Sequence, residues 1–517
     1  MGGSAKFSMG DCPDLLQNGA VVEPNADISG VGVVSAFLLS AYMTFFAVLV
    51  AYLSGLVDSE LLSLVDRRIF RVRSYPSRLS ETSGLCGNGQ QRQQEPEKRP
   101  SSKHRAKVEA CLRSAVLAMS DQQIVTGIAI MGAGFQGLRE GTLSAYHYQI
   151  VLYLAWMSSS VHLTAITVLA SYLKRHRGVM VWRLTGMLVL FVMLVVGLVP
   201  TISNSWGNFL WPDIPTNKTG WAIPARCFWG DLRGSVSPDA PIGFIILSIS
   251  YLWKMGQLFS SSRSAYHRWV RGPIERLMVR VLRFAAERRW HWTFRVLLAP
   301  VLPVMVMFEV ISSFAASLWL SLMGLIFGTI QVLIPRGQIQ SMTEAQEDTW
   351  GFGQLVPLIL LIQPLGMVLE HVWTSEPHTE DRMELLRYKR PLPDSRDTQC
   401  GPEDEPCRGG HQLNQQCFQA LLLTRVSECP TASTWPQEHM AVQNLLFSSK
   451  LFASLVWLAQ AAVVTICSVV FYVDSQTIGN ERASNFEFIL NTIGFFIGAA
   501  IFTILVLSPF SRTGRVP

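Results

Sequence analysis

Charge is what this chain has least of. Only 15% of its 517 residues are Asp, Glu, Lys or Arg, while 49% are hydrophobic; soluble domains carry about 25% charged residues. Most of that charge sits in a few loops, and the net charge of +6 has to be read by location rather than as a nucleic-acid footprint. Catalytic signatures are missing too. There is no P-loop, no GxSxG, no HExxH and no pair of Asp-rich metal boxes, which argues against ATP-driven transport and metallopeptidase chemistry. Internal repeats of the kind that build inverted-repeat transporters are absent. So is a cleavable signal peptide: the first apolar run is long, follows an acidic segment and has no small-residue cleavage site behind it. Of the nine cysteines, Cys400, Cys407, Cys417 and Cys429 share one loop, but without the paired CxxC spacing of a zinc site. No metal and no cofactor is expected.

What the chain does have is long apolar runs. Nine stretches, at 33–56, 122–138, 146–172, 184–203, 241–261, 296–335, 351–372, 451–473 and 488–509, approach or exceed the roughly 20 residues that a helix needs to cross a bilayer. The expected fold is all-α, a polytopic transmembrane bundle of about nine spans. Basic residues gather in loops 58–107, 174–183 and 262–295, which one crossing per stretch places on the same side, the cytosol. The N-terminal flank is acidic (Asp11, Asp14, Glu23, Asp27) and falls outside; the C-terminal tail, with Arg512 and Arg515, falls inside. The parts divide as an outer segment 1–32, a membrane core 33–374 with a disordered loop 75–106, a cytosolic loop 375–450, and two last spans in 451–517. The 296–335 stretch would be about 60 Å long as one straight helix, so it is either a helix that projects from the membrane or a broken pair. A break near Gly324 or Gly328 would add a span, and would invert everything after it if both halves crossed.

The outer loop 205–240 carries the sequon Asn217-Lys218-Thr219, an acceptor for glycosylation in the lumen. Cys12 and Cys227 both fall on the oxidising side and can pair. Four Trp in that loop, Trp206, Trp211, Trp221 and Trp229, read either as an interfacial belt or as a lid over an outward-opening pocket. Residues 264–290 set Ile274, Leu277, Met278, Val281, Leu282 and Phe284 against a row of arginines. Such a helix either lies on anionic lipid or is a plain positive-inside anchor.

Ionisable groups at membrane depth are costly, about 2.5–3.5 kcal/mol on insertion scales, and so they mark candidate sites. His162, Glu309, Gln363 and Gln460 fall near mid-span; Asp121, Lys254, Glu370 and His371 lie toward cytosolic ends. Glu309 is the candidate proton donor, with His162 and Asp121 as partners for catalysis; the plainer role pairs it with His162 or Lys254 as a packing contact. His162, Lys254, Glu309, Gln363 and Gln460 together are the candidate ligand-binding set.

The stretches Asn25–Val33 (NADISGVGV), Ser120–Ile130 (SDQQIVTGIAI), Tyr146–Leu163 (YHYQIVLYLAWMSSSVHL) and Trp350–Leu361 (WGFGQLVPLILL) resemble a family of multispanning membrane proteins of filamentous fungi, sometimes encoded beside secondary-metabolism genes. The resemblance covers the membrane core. It implies a plasma-membrane or endoplasmic-reticulum protein without a cofactor, and it supplies no catalytic residue. The function expected is therefore handling of a small hydrophobic ligand, carrier- or receptor-like, with membrane lipid as a partner and no nucleic acid. An intramembrane enzyme, such as an acid-initiated isoprenoid cyclase, is the alternative.

Overall fold

The computed structural model describes residues 12–55, 62–70, 101–203, 205–207, 219–231, 240–288, 291–340, 350–364 and 450–477, with isolated residues between them. The expected last span 488–509, nearly all of the 375–450 loop, and Asn217, Glu370 and His371 lie outside the described residues.

Among the described residues the fold is all-α, with two isolated β-bridges, Ala20 to Thr219 and Ser144 to Pro224. Ten helices have nine residues or more: α1 Val31–Leu53, α2 Ser101–Glu140, α3 Ala145–Val168, α4 Arg177–Gly197, α5 Ala240–Leu258, α6 Gly272–Glu287, α7 His291–Ile311, α8 Phe314–Gln340, α9 Phe352–Leu360 and α10 Lys450–Thr477. Six helical segments, within α1–α4, α8 and α10, are long and apolar enough to cross a membrane, and three shorter apolar ones lie at 243–256, 300–311 and 352–364.

α3 is the axis of the bundle. Of its 24 residues 22 are buried, enclosed by α1, α2, α4, α5 and α8. Helices come this close in lipid only where side chains are small, because the hydrophobic effect does not press them together there. A Cβ at Gly324 of α8 would meet Ser160 Oγ at 2.7 Å, and one at Gly328 would meet Met157 Cγ at 2.5 Å. α2 stops where Gly141 turns to a φ of +74°, its N–H reaching the Leu138 carbonyl at 3.3 Å while Thr142 N–H reaches Gly137 at 3.0 Å. That left-handed turn favours glycine.

Two ends of the bundle are built separately. At one, a Cys12–Cys227 disulfide (Cα–Cα 5.3 Å) and the Ala20–Thr219 bridge tie the N-terminal segment to the loop after α4. Gln354 Oε1 accepts Gly32 N–H at 3.0 Å there, and Arg336 donates to the Ser29 carbonyl at 2.9 Å. At the other, Asp66 joins α1 to α8. Ser63 and Asp66 form a capping box on the short helix Leu64–Arg68; the same carboxylate accepts Tyr52 Oη–H at 2.8 Å and the N–H groups of Phe314 and Ala315 at 2.9 and 3.3 Å. It thereby caps α8, whose first amides have no partner of their own.

Three expectations need correcting. The 296–335 stretch is two helices, and the break falls at Ser312–Ser313 rather than at either glycine. There the two hydroxyls turn back on the Phe308 and Val310 carbonyls, each at 2.6 Å, and Asp66 starts the next helix. α7 is not among the six segments of the described residues that are long and apolar enough to cross a membrane; it packs antiparallel to α6, with Glu309 near its end paired to Arg271 just before α6. Finally, the loop expected to be disordered through 106 is helical from Ser101, because α2 continues backward through good helix formers (KVEACLRSAVLAM).

Candidate functional site

The polar side chains of α3 face several neighbouring helices, and Ser160 and Thr164, four residues apart, share one face. Toward one end, Gln149 donates to Gln331 Oε1 of α8 at 2.7 Å and accepts Trp206 Nε1–H at 3.0 Å. Midway, Ser159 and Tyr251 of α5 share a hydrogen bond of 2.5 Å. A turn further on lies a cluster that contains a charge. Lys254 Nζ of α5 donates to Thr164 Oγ1 at 2.8 Å and to Ser321 Oγ of α8, and is 3% exposed. Thr164 and Ser321 in turn donate to the Ser160 carbonyl at 3.1 and 3.3 Å. Among the described residues no carboxylate pairs with this ammonium. Along the same seam Trp156 Nε1 and Ser317 Oγ are buried without a partner.

The other sequence candidates sit elsewhere, each with its own neighbours. Glu309 is two residues from the end of α7, not at mid-span, and its carboxylate accepts from Arg271; Arg271 also donates to Glu275 at 2.7 Å. The packing partner expected for Glu309, His162 or Lys254, is thus replaced by an arginine of the basic segment. The reason is tertiary: the α7 break brings Glu309 back to the level of residue 271. His162 Nδ1 donates to the Ser120 carbonyl at 3.0 Å and contacts Ser120 Oγ at 2.7 Å, while its Nε2 is buried without a partner. Asp121 is half-exposed and pairs with the buried Arg183 at 2.7 Å. Gln363 is exposed; Gln460 is buried, with Nε2 unpartnered. The structure does not join Glu309, His162 and Asp121 by hydrogen bonds into one constellation. Lys254 is the candidate it surrounds with polar groups from other helices.

Sequence reasoning missed Asp66, Arg271, Thr164 and Ser321. The Ser63-Leu-Val-Asp66 pattern is a legible capping box. The two hydroxyls carry no signal of their own, since single Ser and Thr are ordinary in membrane helices.

With this geometry in place, comparison with known proteins adds a relationship. A protein of Elsinoe fawcettii described as "Elsinochromes biosynthesis cluster protein HP3" is 34% identical over 148 residues, 29% of this chain and 47% of that protein. This chain is distantly similar to fungal secondary-metabolism cluster proteins. A second protein of the same organism, "Elsinochromes biosynthesis cluster protein HP2", is 25% identical over 234 residues, 36% of this chain and 60% of that protein. The chain spans about half the length of these curated relatives. No protein-family model matches it, and no solved structure does.

Proposed function

We propose that this chain is a multi-pass membrane protein that handles a small hydrophobic compound, as a carrier or a receptor, in fungal secondary metabolism. The observation that carries this reading is Lys254: a buried cation in the helix interior, ringed by hydroxyls of α3 and α8 and matched by no carboxylate among the described residues. A group so costly to bury in lipid is kept where it meets a ligand or an ion. Similarity to proteins described as belonging to elsinochrome biosynthesis clusters supports the metabolic setting. The cyclase alternative draws no support from Glu309, whose carboxylate is engaged by Arg271. The membrane is the plasma membrane or the endoplasmic reticulum.

Anionic lipid is the second partner in this reading. Arg271, just before α6, and Glu275 and Val279 within it are buried on the α7 side, while Ile274, Leu277 and Phe284 are exposed beside the exposed Arg276 and Arg280 and, just past its end, Arg288. Facing apolar residues outward suits a helix lying in a headgroup region.

The test is untargeted metabolite profiling of cells and medium from wild-type, deletion and Lys254→Met strains. A carrier predicts unchanged masses redistributed between cell and medium, alike in both mutants. Loss of a product mass with build-up of its precursor identifies an enzyme and overturns the reading.

A further inference from the structure

The seam between α3, α5 and α8 holds a buried lysine with no carboxylate partner among the described residues, and its sign specifies a ligand. Lys254 brings three N–H groups, and two of them go to Thr164 and Ser321. Those hydroxyls are hydrogen-bonded to each other and both reach the Ser160 carbonyl, and Ser160 spends its proton on the Trp156 carbonyl at 3.0 Å. Within one turn on either side along α8, Ser317 Oγ is 1% exposed and unpartnered, and Trp156 Nε1, 2% exposed and unpartnered, lies 3.7 Å from where a Cβ on Gly324 would sit. Interior polar groups are ordinarily satisfied. A cluster holding one positive charge, a spare indole N–H and a spare hydroxyl lacks one thing, an acceptor with negative charge. A neutral hydrophobic molecule would leave the deficit as it is.

We infer that the Lys254–Thr164–Ser321 seat binds the ionised acidic oxygen of an otherwise apolar compound, a carboxylate or an acidic phenol. This rests on the ligand-handling reading above and narrows it to a chemical class. The oxygen receives the third Lys254 N–H, and it draws the Thr164 and Ser321 hydroxyls off the Ser160 carbonyl.

The experiment uses the full-length protein in lipid nanodiscs and two pairs of fluorescent probes: 1-pyrenebutyric acid with its methyl ester, and 1-hydroxypyrene with 1-methoxypyrene. Each pair shares its apolar body and differs in the acidic oxygen. At least one acid binds at least tenfold more tightly than its methylated partner; which pair shows the preference tells carboxylate from phenol. Lys254→Met abolishes the preference, while Lys254→Arg retains part of it. Should Lys254→Met fail to fold, Ser321→Ala keeps the cation and lowers the preference about tenfold, the worth of one hydrogen bond to a charged group. Equal binding of acid and methylated probes in wild type, or a preference that survives Lys254→Met, overturns the seat. That result leaves a hydrophobic-ligand protein standing. The broader reading falls separately, if deletion leaves the distribution of every metabolite unchanged.

Discussion

Asp66 shows how much one side chain can hold when it stands where three segments meet. Its carboxylate is fully buried and accepts from Tyr52, from Ser63 twice (N–H and Oγ, both 2.9 Å), and from the Phe314 and Ala315 amides. Asp66→Ala orphans these donors together and is expected to cost about 3 kcal/mol or more. Asp66→Asn, which keeps one accepting oxygen, costs less; thermal unfolding in detergent ranks the two. Equal midpoints for Asp66→Ala and wild type would mean that α8 is capped by something else. Lys254 is the contrary case. Replacing it by Met removes a buried ammonium with no carboxylate partner among the described residues, so Lys254→Met is expected to melt no lower than the wild type even as it loses ligand. A drop of several degrees would make the residue a structural tie.

At the scale of elements, the α3–α8 contact depends on what the glycines omit. Gly328→Val drives a side chain into Met157 and is expected to destabilise the protein by about 1–3 kcal/mol, the usual cost of overpacking. Gly256→Val, on α5 with nothing within 4 Å of its Cβ position, is expected to change the melting midpoint little. Both are read in one thermal series, and similar losses would remove close approach as the explanation. α6 makes a different prediction. Basic residues near an anionic surface contribute about 1 kcal/mol each, so Arg276→Gln with Arg280→Gln should weaken retention of anionic lipid by roughly thirtyfold. Quantifying phosphatidylserine carried through purification measures this, and unchanged retention would leave α6 as an anchor only.

For the whole molecule, the two ends carry opposite chemistry: a disulfide at one, and arginine-rich segments with buried ion pairs at the other. Sidedness follows if the disulfide end faces the lumen. Asn217, two residues before the Thr219 that bridges to Ala20, should then carry a glycan, seen as an endoglycosidase-sensitive shift that Asn217→Gln abolishes. The disulfide closes a separation of 215 residues, and Cys12→Ser should cost about 2–4 kcal/mol. A fully unglycosylated sequon together with cytosolic labelling of Cys12 would invert the arrangement.

Membrane class and the places of most helices were legible in the sequence, because crossing lipid demands unbroken apolar runs and every backbone amide must be satisfied within its own segment. α1, α3 and α4 stand close to where hydropathy alone places them. The capping box at Ser63–Asp66 was legible too, though not that its carboxylate serves a helix beginning at residue 314. Which polar residues meet was decided by tertiary structure alone. Glu309 looked central because distance along one long stretch was taken for depth; the turn at Ser312–Ser313 returns it to Arg271. Lys254 looked like a residue near a helix end, free to extend toward water, yet the packing of α5 on α3 and α8 encloses it among hydroxyls. A hydropathy pattern records how much apolar surface a segment offers. The face on which a lone polar group lies, and what stands opposite it, depends on helix rotation and crossing, which small residues on partner helices set.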